Sequence, residues 1–97
     1  MRLAAYWGDE TPAHMVALAA TDAYGGVTIF QAKGYWDNND RFTIEDSWIV
    51  EVYVGREADQ NTWLAINQVA LDESAYEQAV LVVVNHEAET LTRRPTL

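Results

Sequence analysis

The chain predicts an α+β domain in which a four-stranded antiparallel sheet carries two helices on one face. Three observations support this. Two alternating runs, Val27–Trp36 and Ser47–Val54, flank a polar stretch and read as antiparallel neighbours. Two further segments, residues 13–24 and 58–71, follow helical rather than strand periodicity. A final run, Ala79–Val84, holds four valines in six residues, a composition suited to a buried strand.

Each element has its own local signals. Arg2–Trp7 is a short apolar run with aromatic residues at its end and forms the first strand. Gly8-Asp-Glu-Thr-Pro12 is a turn that starts a helix, with Thr11 as N-cap and Pro12 at the first helical position. The helix runs from Ala13 to Tyr24 and stops at Gly25-Gly26, which supplies a left-handed end. A strand through Met15–Ala20 is the competing reading, and the alanine content and both end signals favour the helix.

The second strand ends at Trp36 and the third starts at Ser47, leaving a polar loop of about ten residues, Asp37–Asp46. In the third strand Trp48, Val50, Val52 and Val54 share one face, with Ile49, Glu51 and Tyr53 on the other. Gly55 ends it. From Ala58 to Leu71 the stripe is Trp63, Ile66, Val69 and Ala70, with Gln60, Asn67 and Gln68 opposite. Ser74-Ala-Tyr-Glu77 matches a capping box and competes as a third helix start before the valine strand. Residues 86–97 form an edge strand or a frayed tail. The order strand, helix, strand, strand, helix, strand is the ferredoxin-like βαββαβ arrangement, in a single domain over residues 1–97.

Composition narrows the function. Fifteen acids against six bases give a net charge of −9, which opposes a phosphate-backbone binder, so no nucleic-acid partner is expected. The acids are scattered and never form a run. With no cysteine there is no disulfide framework and no thiolate nucleophile or metal ligand. No apolar stretch approaches the roughly 18 residues of a membrane span, so a cytoplasmic protein without a membrane partner is expected.

The stretch Gly25-Gly-Val-Thr-Ile-Phe-Gln-Ala-Lys-Gly-Tyr-Trp36, followed by Glu45-Asp-Ser47 and Trp48–Val54, resembles two groups of proteins. One is a set of small bacterial and phage proteins of unknown function, which also share a segment like Gln78-Ala-Val-Leu81. The other is the PII-like signalling proteins. The second resemblance implies a ferredoxin-like domain, a trimer, a mobile loop between strands two and three, and a bound nucleotide.

Several alternatives have weaker sequence support. A Gly-rich phosphate loop needs a Lys-Ser/Thr pair that Gly25-Gly26 lacks. His14 and His86 would have to converge with carboxylates such as Glu87 or Glu89 to hold a metal, and no metal or cofactor is expected. Glu51 is the best acid–base candidate, and a buried position would pair it with Lys33 on the neighbouring strand.

The aromatic residues say more. Trp7, Tyr35, Trp36, Trp48, Tyr53 and Trp63 are abundant, and one sheet face is left open by the helices. The expectation is a homo-oligomer, a trimer before a dimer, that binds a small anionic ligand between subunits near residues 36–47. Its expected role is regulatory or sequestering, without turnover. The candidate ligand residues are Thr28, Lys33, Tyr35, Trp36, Arg41, Glu45 and Arg56. Lys33, Arg41 and Arg56 would neutralise the anion while Trp36 stacks on a ring. Two rivals stand beside this reading: an acidic protein-interaction inhibitor such as a phage anti-defence factor, and a small cofactor-free enzyme of the dimeric ferredoxin-like kind.

Overall fold

The computed structural model describes residues 1–37 and 39–95. Five strands and two helices alternate as β1 (Arg2–Trp7), α1 (Glu10–Tyr24), β2 (Thr28–Asp37), β3 (Phe42–Tyr53), α2 (Gln60–Glu73), β4 (Ala79–Val84) and β5 (Glu87–Thr92). They form one antiparallel sheet in the order β2-β3-β1-β4-β5. The first four strands keep the expected order, and β5 makes the sheet five-stranded rather than four-stranded.

The fifth strand corrects the reading of the tail. Asn85 adopts a left-handed φ of 61°, a conformation asparagine tolerates better than most residues, and the chain reverses over Asn85-His86. Leu91 then faces Val80 across the ladder and is buried, so the strand has an apolar anchor. The end of the expected tail, Thr96 and Leu97, lies outside the described residues.

The β2–β3 connection is also corrected. The strands continue through most of the expected loop, pairing Lys33 with Asp46, Tyr35 with Ile44 and Asp37 with Phe42. Phe42 and Ile44 alternate with Thr43 and Glu45, the period of a strand, and the polar flanks concealed it. Asn39 and Asp40 turn the chain with φ of 51° and 70°. Asn38, part of the expected loop, lies outside the described residues.

The helices differ in detail from expectation. Helix α1 begins at Glu10 with Asp9 as N-cap, so Thr11 is not the cap and Pro12 is the third helical residue. That position still lies in the first turn, whose N–H groups have no intrahelical partner, so proline is tolerated. Gly25 ends the helix at φ 91°, its N–H donating to the Thr21 carbonyl at 2.8 Å.

In α2 the buried stripe is Trp63, Asn67, Ala70 and Leu71, while Val69 is exposed. The core lies between the helices and one sheet face. Trp7, Trp63, Leu3, Leu71, Val16, Val50, Val80 and Val82 are fully buried there. Burying each such aliphatic side chain contributes about 1.5–3 kcal/mol.

The opposite sheet face has no helix over it. Ala4 and Ile49 are buried within it, while Phe30 and Tyr53 are exposed. Its charged pair is Arg2 with Glu51 at 2.6 Å, so Glu51 takes Arg2 rather than Lys33 as partner. Among the described residues no helix is long and apolar enough to cross a membrane.

Candidate functional site

At the end of the open sheet face where β1 runs into α1, the chain forms a cleft of about 330 Å³. Its walls include Tyr6 from β1, Trp36 from β2, Glu45 and Ser47 from β3, Leu81 from β4 and Glu77 from the α2–β4 turn.

Register explains the first wall. Ala32 faces Ser47, Gly34 faces Glu45 and Trp36 faces Thr43, which puts all six on one side of the hairpin. Gly34 leaves room for its neighbours to close over it. A Cβ at this position would lie 2.8 Å from both the Trp36 Nε1 and the Ser47 Oγ. The indole can therefore fold back along the strand toward Ser47, which is buried.

The second wall is the turn that carries Glu77. Ser74 Oγ accepts the backbone N–H of Glu77 at 3.1 Å and of Tyr76 at 3.4 Å. Half of the expected capping box therefore forms. The Glu77 side chain lies beside the backbone N–H groups of Gly8 and Asp9, and no helix follows.

Glycine at position 8 permits the close approach of the Glu77 carboxylate. Its added Cβ would lie 2.6 Å from Glu77 Oε1. Arg93 fixes the turn from behind, donating to the carbonyls of Ser74 and Glu77, the latter at 2.5 Å. Burial pushes the Glu77 carboxyl above its ordinary range, and the nearby Asp9 carboxylate adds to the rise.

The candidate residues separate into two groups. Trp36 and Glu45 line the cleft. Lys33 lies across the hairpin, paired with Asp46 at 2.5 Å, an ion pair that raises its pKa. Tyr35 is 69 % exposed and falls with Ile44 and Phe42 on the other side of the hairpin, beyond the cover of the helices. Arg41 is exposed at the hairpin tip, Thr28 starts β2 at the far end, and Arg56 follows β3 at that same end. Among the described residues no basic side chain lines the cleft.

Sequence reasoning missed Tyr6, Ser47 and Glu77 as parts of one site. The Ser74–Glu77 capping pattern was the only local signal for the last of these.

Two other expectations can be located. His14 lies in the first half of α1, 6.0 Å between ring centroids from Trp48, whereas His86 is at the β4–β5 turn near the other end of the sheet. Among the described residues no group of three or more His, Asp or Glu side chains converges as a metal site would require. A larger hollow of about 720 Å³ beside Gln60, Leu64 and His86–Glu89 contains no aromatic ring besides that of His86.

No family model and no curated protein matches the chain. Among solved structures it is similar to a phage SAM lyase in complex with S-methyl-5′-thioadenosine. The TM-score is 0.59 at 12 % identity, over 94 % of this chain and 88 % of that one. The likeness is one of fold. It supports a small α+β domain of that kind and does not single out a PII-like family.

Proposed function

We propose that this chain is an oligomeric small-molecule-binding domain whose cleft at Tyr6, Trp36, Glu45 and Ser47 takes a nucleoside-like ligand. The observation that carries the reading is the Trp36 indole folded over Gly34 beside Ser47, an aromatic face next to polar groups in a concave site. An indole face stacks on any purine, and Ser47 and Glu45 can accept or donate hydrogen bonds at the ring or sugar edge. The solved phage SAM lyase of similar fold holds S-methyl-5′-thioadenosine, which makes that nucleoside the first probe.

Two uncovered apolar surfaces support self-association, and the state proposed is a trimer before a dimer. One is the open sheet face with Phe30 and Tyr53. The other is the hairpin stripe of Tyr35, Phe42 and Ile44. In this reading the ligand sits where copies meet. Lys33, Arg41 and Arg56 lie outside the cleft of their own chain and are given no ligand contact in this reading. The role is regulatory or sequestering.

A catalytic reading has one specific observation in its favour, a SAM lyase among proteins of similar fold. Turnover would need an acid or base in the cleft, and Glu45 and Glu77 are the carboxylates there.

Isothermal titration with S-methyl-5′-thioadenosine tests the binding proposal, and incubation with SAM followed by product analysis separates binding from turnover. Saturable binding that Trp36→Ala abolishes supports the site. Binding that survives Trp36→Ala places the ligand elsewhere.

A further inference from the structure

Resting on the nucleoside reading, we propose that Glu77 is a specificity-determining residue whose carboxylate receives a positively charged group on the ligand. The cleft would then prefer a cationic nucleoside to a neutral one with the same ring.

The charge distribution carries this. The side chains lining the cleft include two carboxylates, Glu45 and Glu77, and no base. The chain's bases are engaged or remote. Arg2 pairs with Glu51, Lys33 with Asp46, and Arg94 with Asp72 at 2.7 Å. Arg93 is committed to backbone carbonyls, and Arg41 and Arg56 lie at the hairpin tip and beyond β3. Among the described residues no positive charge lines the cleft to compete for the carboxylates.

Glu77 is also held in place. Its turn is tied by Ser74 Oγ from one side and by the Arg93 guanidinium from the other. The Glu77 carboxylate lines the cleft beside the backbone N–H groups of Gly8 and Asp9, and a carboxylate offers about four acceptor positions. A preorganised acceptor beside aromatic rings is the arrangement that selects organic cations.

The groups around Glu77 reinforce the sign. Asp9 stands beside it on the β1–α1 turn, and Glu45 faces the cleft from β3. Tyr6 adds a hydroxyl to which Arg2 donates at 3.4 Å. Glu10 and Glu73 border the adjoining hollow with Asp9. Because burial raises the Glu77 pKa, affinity for a cation rises with pH as this group ionises, while affinity for a neutral ligand stays flat.

The test compares two ligands on the intact chain and on Glu77→Gln. S-Methyl-5′-thioadenosine is neutral. Sinefungin has the same adenosine, with a carbon-linked amino-acid chain bearing a protonated amine where S-methyl-5′-thioadenosine has a neutral methylthio group. Wild type should prefer sinefungin, and Glu77→Gln should lower the affinity ratio by about tenfold and flatten its pH dependence.

An unchanged ratio in Glu77→Gln, with both affinities kept or both reduced, makes Glu77 a structural support of the α1 start and overturns the proposal. If wild type binds neither ligand, the nucleoside reading itself fails and this inference falls with it. Circular dichroism of the variant confirms folding, and Glu77→Asp, which keeps the charge, should restore part of the preference.

Discussion

The indole N–H of Trp7 donates to the side-chain carbonyl of Asn67 at 3.1 Å, in a core from which both residues exclude water completely or nearly so. Asn67 passes the connection on. Its amide donates to the Trp63 carbonyl at 3.0 Å, and the Trp63 indole donates to the Ala4 carbonyl at 3.1 Å. The three buried side chains are thereby hydrogen-bonded, and the bonds from the two indoles tie α2 to β1, the strand that ends at the cleft.

Removing the central member should be costly. Asn67→Ala leaves the Trp7 N–H without an acceptor and opens space beside it. Stability should fall by about 2–3 kcal/mol in urea unfolding. Asn67→Leu should not restore it, because the orphaned donor remains. A loss below about 0.5 kcal/mol would show that the network contributes little.

Tyr24 should behave in the opposite way. Its hydroxyl is buried without a hydrogen-bond partner among the described residues, and burial raises its pKa. Tyr24→Phe keeps the ring against Trp63 while deleting the unsatisfied group. Stability should be unchanged or rise by roughly 1 kcal/mol. A clear loss would mean that the hydroxyl has a partner such as water.

Gly34→Ala should damage the site more than the fold. The added methyl would meet Trp36 and Ser47 at 2.8 Å, so the indole must swing away. The expected result is a near-native melting temperature, a shifted tryptophan emission spectrum and at least a tenfold loss of nucleoside affinity. Retained affinity would remove Trp36 from the binding account.

Acid titration should show two carboxyls acting with opposite sign. Asp72 is held below its ordinary pKa, first by the Arg94 backbone N–H and then by its guanidinium. Its contribution is present above the unfolded value and is lost as pH falls through the folded one. Glu77 is raised, so its contribution is present below the unfolded value and is lost as pH rises through the folded one. Relative to wild type, Glu77→Gln should therefore gain stability with rising pH across the acid range, whereas Arg94→Ala should lose its disadvantage at the lowest pH. Parallel pH profiles for wild type and Glu77→Gln would contradict the raised value.

Element order and helix placement were readable because they depend on local periodicity. Alternation in Val27–Trp36 and Ser47–Val54, and the Gly25 stop, are signals carried by neighbouring residues. What failed depended on partners distant in sequence. Asn67 looks like a surface residue until Trp7 supplies a donor. The stretch Phe42–Asp46 looks like a loop until Gly34, Tyr35 and Trp36 pair with it. Within the site, Trp36 and Glu45 were within reach because they sit on one hairpin. Glu77 was not, since its meaning comes from Gly8, residues away on another turn.

The most direct test of the central claim is native mass spectrometry of freshly purified protein with S-methyl-5′-thioadenosine, comparing wild type with Trp36→Ala. The account predicts an oligomer, foremost a trimer, carrying one nucleoside per cleft, with the bound mass absent from the variant. A wild-type chain that stays monomeric at high concentration and carries no nucleoside would contradict it.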